Sequence, residues 1–253
     1  MLVHSSLIAS PRNAAFRSKA AFYELSVVLP CLNEAETLAT CLDDIWTVAD
    51  GHEMDLEILV VDNGSTDGSA QIAEASGARV VNVAQRGYGN ALIGGISAAR
   101  GRYVITIDAD GSYDVNDMPR LLDQLRLGYD LVIGNRFLGG IQRRAMSVLE
   151  RYLGNPILSI IGRVLFNVTL GDFHCGLRGI NRQAALRWQL TEPGMEFTSE
   201  LIVKAALHKA RMAEVPVSLR PDGRSRSPHL RPWRDGWRHL SLMLRYYLHP
   251  PIR

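Results

Sequence analysis

Residues 104–114 read VITIDADGSYD, a short β-type run followed by three aspartates within seven positions. Asp108 and Asp110 stand two residues apart, so one turn offers two hard carboxylate oxygens. That pattern suits Mg²⁺ or Mn²⁺ shared with a diphosphate. Alone, such a pair more often makes a turn or caps a helix. Here it closes an apolar strand, where carboxylates need a partner because an unpaired buried charge is strongly disfavoured. Other polar groups follow other apolar runs: Asn33 and Glu34 after SVVLPCL, then Asp62 to Asp67 after LEILVV. An acid in the place of Asp62 can accept from a ribose or a base edge. Farther on, GDFHCGLR (171–178) mixes an acid, a histidine and an arginine. Its His174 reads as structural, whereas Asp172 and Arg178 are candidates to face a crevice.

These groups need a scaffold that brings them together. Strands are predicted at 24–30, 56–62, 79–83, 103–108 and 129–134, with helical stretches between them, among them one with apolar residues at Leu38, Leu42, Ile45 and Ala49. Regular βα alternation predicts an α/β fold, a Rossmann-like, mostly parallel sheet with helices on both faces. Ligands of such sheets bind at the carboxyl ends of the strands, where Glu34, Asp62, Gln85 to Asn90, Asp108 and Asp110 all fall. The second half differs, with helices predicted at 145–169 and 197–209, a strand at 212–218, an Arg-rich loop and a helix from about 232. The expected division is a flexible leader at 1–22, a catalytic domain at 23–231 and an amphipathic helical segment at 232–253. On that last helix Trp233, Trp237, Leu240, Leu244 and Leu248 share one stripe, which fits either the core or an anionic membrane surface.

Composition narrows the classes. With 47% apolar and 21% charged residues the chain is globular. Its net charge of +2 conceals a polarity: residues 30–67 hold ten acids and no Lys or Arg, and residues 218–253 hold eight Arg against two acids. One region suits a cation and the other an anionic partner. Three cysteines without metal-ligand spacing point to a reduced, cytoplasmic setting. No run reaches the ~18 apolar residues of a membrane span. NPILSIIGRVLFNVTL (155–170) is broken by Arg163 and Asn167, so it is not expected to cross a membrane, though its apolar character is compatible with lying on one. The glycines of a dinucleotide-binding turn are missing after the first strand, and GYGNAL (87–92) fails the G-x-G-x-x-G pattern at its last position. A Rossmann oxidoreductase is therefore disfavoured. A sugar nucleotidylyltransferase is disfavoured too, because PCLNEAE has neither a Gly-rich loop nor a basic residue.

Taken in order, VVLPCLNE, EILVVDNGSTDGS, GYGNALIGGISAARG, DADGSYD, GNRFLGG, GDFHCGLRG and GMEFTSE resemble glycosyltransferase family 2 and its GT-A fold. Within that family the chain is similar to polyprenyl-phosphate sugar transferases of the dolichol-phosphate mannosyl synthase type. The resemblance implies an inverting enzyme that moves a hexose from a UDP- or GDP-sugar, with Mg²⁺ or Mn²⁺, to a polyprenyl phosphate. It further implies that Pro30, Asn33, Glu34, Asp62, Gly87 and Ala109 line the donor and that Asp108 and Asp110 meet the diphosphate and metal. Arg136 and Arg178 would meet phosphates, joined on the acceptor side by Arg224 and Arg226. The chain departs from the pattern at Ser112, where many relatives carry a metal-binding Gln. Segments like SRSPHLRPWRDGWRHL precede membrane-spanning helices in many relatives. Here, with the chain ending at Arg253, the expectation is peripheral attachment at the inner face of the membrane.

A proton count separates the acceptor classes. A sugar hydroxyl must lose a proton during attack and needs a base, for which Asp172 is the candidate. A phosphate monoester is already anionic near neutral pH, its second pKa being about 6, and needs arginines to hold it. The arginines at 136, 178, 224 and 226 favour the phosphate. Two alternatives stay open: a family 2 transferase acting on a glycan or soluble hydroxyl, and a non-catalytic nucleotide-sugar-binding module. A nucleic-acid partner is not expected.

Overall fold

The computed structural model describes residues 22–225 and 232–250; the predicted leader up to residue 21, residues 251–253 and Arg226 lie outside them. From the N-terminus, β1 (Leu25–Cys31) is followed by α1 (Leu38–Gly51), β2 (Leu56–Asp62), α2 (Ser69–Ala75), β3 (Arg79–Asn82), α3 (Tyr88–Ala98) and β4 (Tyr103–Thr106). Next come α4 (Met118–Arg126), β5 (Leu131–Asn135) and the single turn α5 (Arg136–Gly139). α6 (Asn155–Phe166), preceded by a π-helical turn over Glu150–Gly154, leads to β6 (Arg178–Asn181), α7 (Arg182–Arg187), α8 (Phe197–Leu207), β7 (Met212–Pro216) and α9 (Pro232–Leu248).

The seven strands form one sheet in the order β3-β2-β1-β4-β6-β5-β7. β6 runs antiparallel to both of its neighbours, and the other pairs are parallel. Every residue of β2 is buried, as expected of a strand covered by helices on both faces. In α1, Leu38, Cys41, Leu42, Ile45, Val48 and Ala49 form the buried stripe, spaced three or four residues apart. From β1 the chain steps outward to β2 and β3, then returns to add β4 on the other side of β1. That reversal opens a crevice at the carboxyl ends of β1 and β4, where Glu34 and Asp108 lie.

One feature differs from the sequence reading, and one alternative it left open is narrowed. The segment around Arg178, read as irregular, supplies β6, because a four-residue strand inserted antiparallel between β4 and β5 carries no periodic run of its own. The Trp233 stripe of α9 does not pack in the core: Trp233 is 80% exposed, Trp237 67% and Leu248 66%. The buried face of that helix is Asp235, His239, Leu242, Met243 and Tyr246, the last three packing with Val203 and against Leu158, Ile161 and Leu165.

Candidate active site

A cavity of about 430 Å³ opens at the β1–β4 switch. Pro30, Glu34, Gly87, Asp108, Ala109, Asp110, Arg136, Arg178 and Arg224, all expected from the sequence, line it. Asn33 and Asp62 are placed beside it. The Asn33 side chain accepts from the Thr66 amide at 2.7 Å, and Asp62 accepts from the Ser65 amide at 3.0 Å, so both shape the loop after β2. Gly87 has φ +139°, and a Cβ there would lie 2.1 Å from the Pro193 carbonyl oxygen, so only glycine lets α3 start against that chain segment.

The Asp-Ala-Asp turn is held from below. Thr37 and Cys41 donate to the Ala109 carbonyl at 2.7 and 3.4 Å, and the Ser112 amide donates to Asp110 at 3.0 Å. Tyr88 donates its hydroxyl to Asp108 at 3.1 Å. Burial, with the Asp110 charge adding to it, pushes the Asp108 carboxyl up to about 6. Gly176 fits beside this carboxylate only for want of a side chain, since a Cβ would come within 2.3 Å of Asp108 Oδ2. The peptide of Gly176 is fixed at both ends, its amide donating to Tyr113 Oη at 2.6 Å and its carbonyl accepting from Thr106 at 3.0 Å. Two residues on, Arg178 is fully buried, lines the cavity, and has no hydrogen-bond partner on any of its three side-chain nitrogens. A guanidinium so placed is built to receive an anion.

Arg136 and Asp172 behave differently. Both sit among buried groups, and the guanidinium grips the carboxylate through two bonds, Nε–Oδ2 at 2.7 Å and Nη2–Oδ1 at 2.8 Å. The structure therefore does not bring Asp172 into the cavity as a free carboxylate: it is fully buried, is absent from the lining, and also accepts from the Arg136 and His174 amides. Breaking a buried pair strands the remaining charge. Asp172→Asn is expected to cost about 3–5 kcal/mol of stability in urea melts while the folded fraction keeps transferring. A variant of normal stability with transfer reduced ~10²–10⁴-fold would instead identify Asp172 as a base for a hydroxyl acceptor.

Three carboxylates close the opposite wall around Arg224. Its Nη2 lies 2.8 Å from Asp110 Oδ2 and 3.0 Å from Asp222 Oδ2, and its Nη1 3.4 Å from Glu34 Oε1. Among the described residues no three His, Cys, Asp or Glu side chains converge to cage a metal. The donor set nevertheless fits one: Asp110 and Glu34 already gather a cation, and Mg²⁺ or Mn²⁺ ordinarily takes one or two carboxylates and leaves its other positions to phosphate oxygens and water.

The sequence reading missed Tyr88, Thr37 and Tyr113, whose roles depend on partners at least 20 positions away in the chain. Arg234 and Arg238, both partly exposed, reach the site from α9 as well. Both line the cavity, Arg238 donating to Glu196 at 2.5 Å. A second cavity of about 330 Å³ adjoins the first, lined by Leu149, Leu153, Ile157, Leu158, Trp233, Trp237 and Leu240. His174, Met195, Thr198 and Asp235 line both. His174 stacks edge-on against His239 with centroids 4.5 Å apart. Burial keeps both imidazoles neutral, pushing His239 down to about 4 and His174 well below its ordinary value. No helix of the described residues is long and apolar enough to cross a membrane.

Sheet order, switch-point crevice and acidic turn together define a GT-A glycosyltransferase fold. The chain belongs to glycosyl transferase family 2, whose model matches residues 26–187. It is 35% identical over 87% of its length to the low-salt glycan biosynthesis hexosyltransferase Agl6 of Haloferax volcanii, of which it spans only 53%. A dolichyl-phosphate hexose transferase of the same organism is 32% identical, with 79% of this chain and 84% of that protein covered. Among solved structures, glucosyl-3-phosphoglycerate synthase of Mycobacterium tuberculosis, in complex with Mn²⁺, UDP and phosphoglyceric acid, superposes with a TM-score of 0.66 at 25% identity, covering 91% of this chain and 80% of that one.

Proposed function

We propose that this glycosyltransferase moves a hexose, with inversion, from a nucleotide-sugar donor to the phosphate of a polyprenyl phosphate at a membrane surface. One observation carries the reading: a polar cavity floored by the unpartnered Arg178 adjoins an apolar groove that ends in two exposed tryptophans. An acceptor with a charged head and a hydrocarbon tail matches both halves. The relatives named for dolichyl-phosphate transfer support the same class.

In this reading Pro30, Glu34, Gly87 and Ala109 bind the donor beside the β1–β4 switch. Asp110 and Asp108 would hold a divalent cation, which would neutralise the charge on the leaving diphosphate. Arg178 holds the acceptor phosphate as an anion, so no side chain has to take a proton from it. The phosphate oxygen forms its bond to the anomeric carbon from the face opposite the diphosphate, whose bond breaks and which leaves with the electron pair. The Arg136–Asp172 pair braces the wall between α5 and the 171–178 segment.

The test is a screen of labelled UDP- and GDP-sugars against a short polyprenyl phosphate, phosphoglyceric acid and a glycan, with and without Mn²⁺. Transfer to the lipid phosphate is expected. Transfer only to phosphoglyceric acid or to a hydroxyl would replace the acceptor assignment, and donor binding without transfer would favour the binding module. Trp233→Ala with Trp237→Ala is expected to lower binding to anionic vesicles several-fold and to leave the melting temperature unchanged, because both rings are exposed. A lowered melting temperature with vesicle binding intact would show that these rings support the fold instead.

A further inference from the structure

Arg224 bridges Asp110, Glu34 and Asp222 from a loop that reaches the turn from a distant part of the chain. The loop is tied to that turn by backbone as well, the Gly223 amide donating to the Asp110 carbonyl at 2.9 Å and the Arg220 amide to that of Ser112 at 2.7 Å. The side chain is only 11% exposed, yet its Nε is buried without a hydrogen-bond partner. A guanidinium that serves only to brace the fold generally has its donors satisfied, as Arg136 illustrates with its two-bond grip on Asp172. Asp110, whose Oδ2 Arg224 contacts, lines the same cavity as Asp108 and Arg178.

Two cations that need the same carboxylate oxygen exclude each other. A divalent cation taking Asp110 would leave Arg224 beside a site whose negative charge has been cancelled, which disfavours the contact through both lost attraction and like-charge repulsion. The freed guanidinium keeps Asp222 on its own loop as an anchor. It also lines the cavity that Arg178 lines, so its natural next partner there is an anion.

We infer that Arg224 is an exchangeable internal counter-ion: it neutralises Asp110 in the metal-free protein, yields that carboxylate to the metal with its bound donor, and then turns to the acceptor's phosphate. The inference rests on the proposed metal site. It implies an order of binding, with metal and nucleotide first and the phosphate-bearing acceptor second, since the second arginine of the acceptor site is released by the first event. Binding energies so coupled are reciprocal, so removing the guanidinium must tighten the metal.

The experiment is a Mn²⁺ titration of the full chain in the presence of UDP, followed by the electron paramagnetic resonance signal of free Mn²⁺. Arg224→Gln is expected to bind Mn²⁺ about five- to fiftyfold more tightly than the wild type, the range typical of coupled sites. Arg224→Lys should fall between them, because an ammonium keeps the charge without the fork that spans three carboxylates. A thermal melt of each variant verifies that it is folded, and if the Gln variant fails that check, the Lys variant decides. Unchanged or weaker Mn²⁺ binding in the folded variants would overturn the inference while leaving the metal site standing. Absence of Mn²⁺ binding by both wild type and variants would overturn the metal site and the inference together.

Discussion

Asp110→Asn is expected to reduce transfer by about 10²–10³-fold or more, because a neutral amide is a poor ligand for a hard cation and the charge next to the leaving diphosphate is lost. The fold should survive. Asparagine keeps the oxygen that accepts from the Ser112 amide, and the turn retains its bonds from Thr37 and Cys41 to the Ala109 carbonyl. Circular dichroism and a thermal melt check that point, and single-turnover transfer of labelled sugar reads the chemistry. Asp108→Asn should be severely impaired as well. The wild type should fall silent in EDTA and recover with Mg²⁺ or Mn²⁺. Near-normal turnover of the Asp110 variant in saturating metal would remove this residue from the metal site.

Arg178→Met is the second large effect, and it separates function from stability. The wild-type side chain is fully buried with no partner for any of its nitrogens, a placement that opposes folding. An apolar side chain of similar length relieves that desolvation but withdraws the attraction between Arg178 and Asp108, so the variant should melt near the wild-type temperature. Its use of a phosphate acceptor should collapse. Each charged hydrogen bond contributes about 1.5–3 kcal/mol, and losing a two-bond grip corresponds to roughly 10²–10⁴-fold in kcat/KM. UDP affinity, measured by calorimetry, should change little. If the variant unfolds easily and the folded fraction uses the acceptor normally, the guanidinium is structural and the acceptor-phosphate assignment fails.

Much of this protein is legible along the chain, and the reason is local. β2 matches the apolar run LEILVVD at both ends, and α1 and α4 follow their buried stripes, because burial against a sheet or a helix layer imposes a period that a short window of sequence records. The acidic turn is readable for the same reason: Asp108 and Asp110 closely follow β4, and strand-end carboxylates in an α/β sheet point to a ligand wherever the strand lies. The Arg-rich end is equally plain in composition. What a short window does not record is pairing across the sheet. β6 is four residues long and gains its place only from β4 and β5, so Arg178 could not be seen as a buried group facing Asp108 until the antiparallel insertion was known.

The amino-acid sequence by itself determined the fold class, the switch-point crevice and the identity of the charged groups around it, since those follow from hydrophobic period and from residue type at strand ends. Tertiary structure alone decided how the charges are matched. It gave Asp172 to Arg136 and Arg224 to Asp110, and left Arg178 opposite Asp108 with no hydrogen bond to any of its nitrogens. It also turned Trp233 and Trp237 outward while His239, Leu242 and Met243 on the same helix went inward. A helical stripe specifies which residues share a face, but which face meets the core depends on the elements packed against it, here α6 and α8, and those contacts are set in three dimensions.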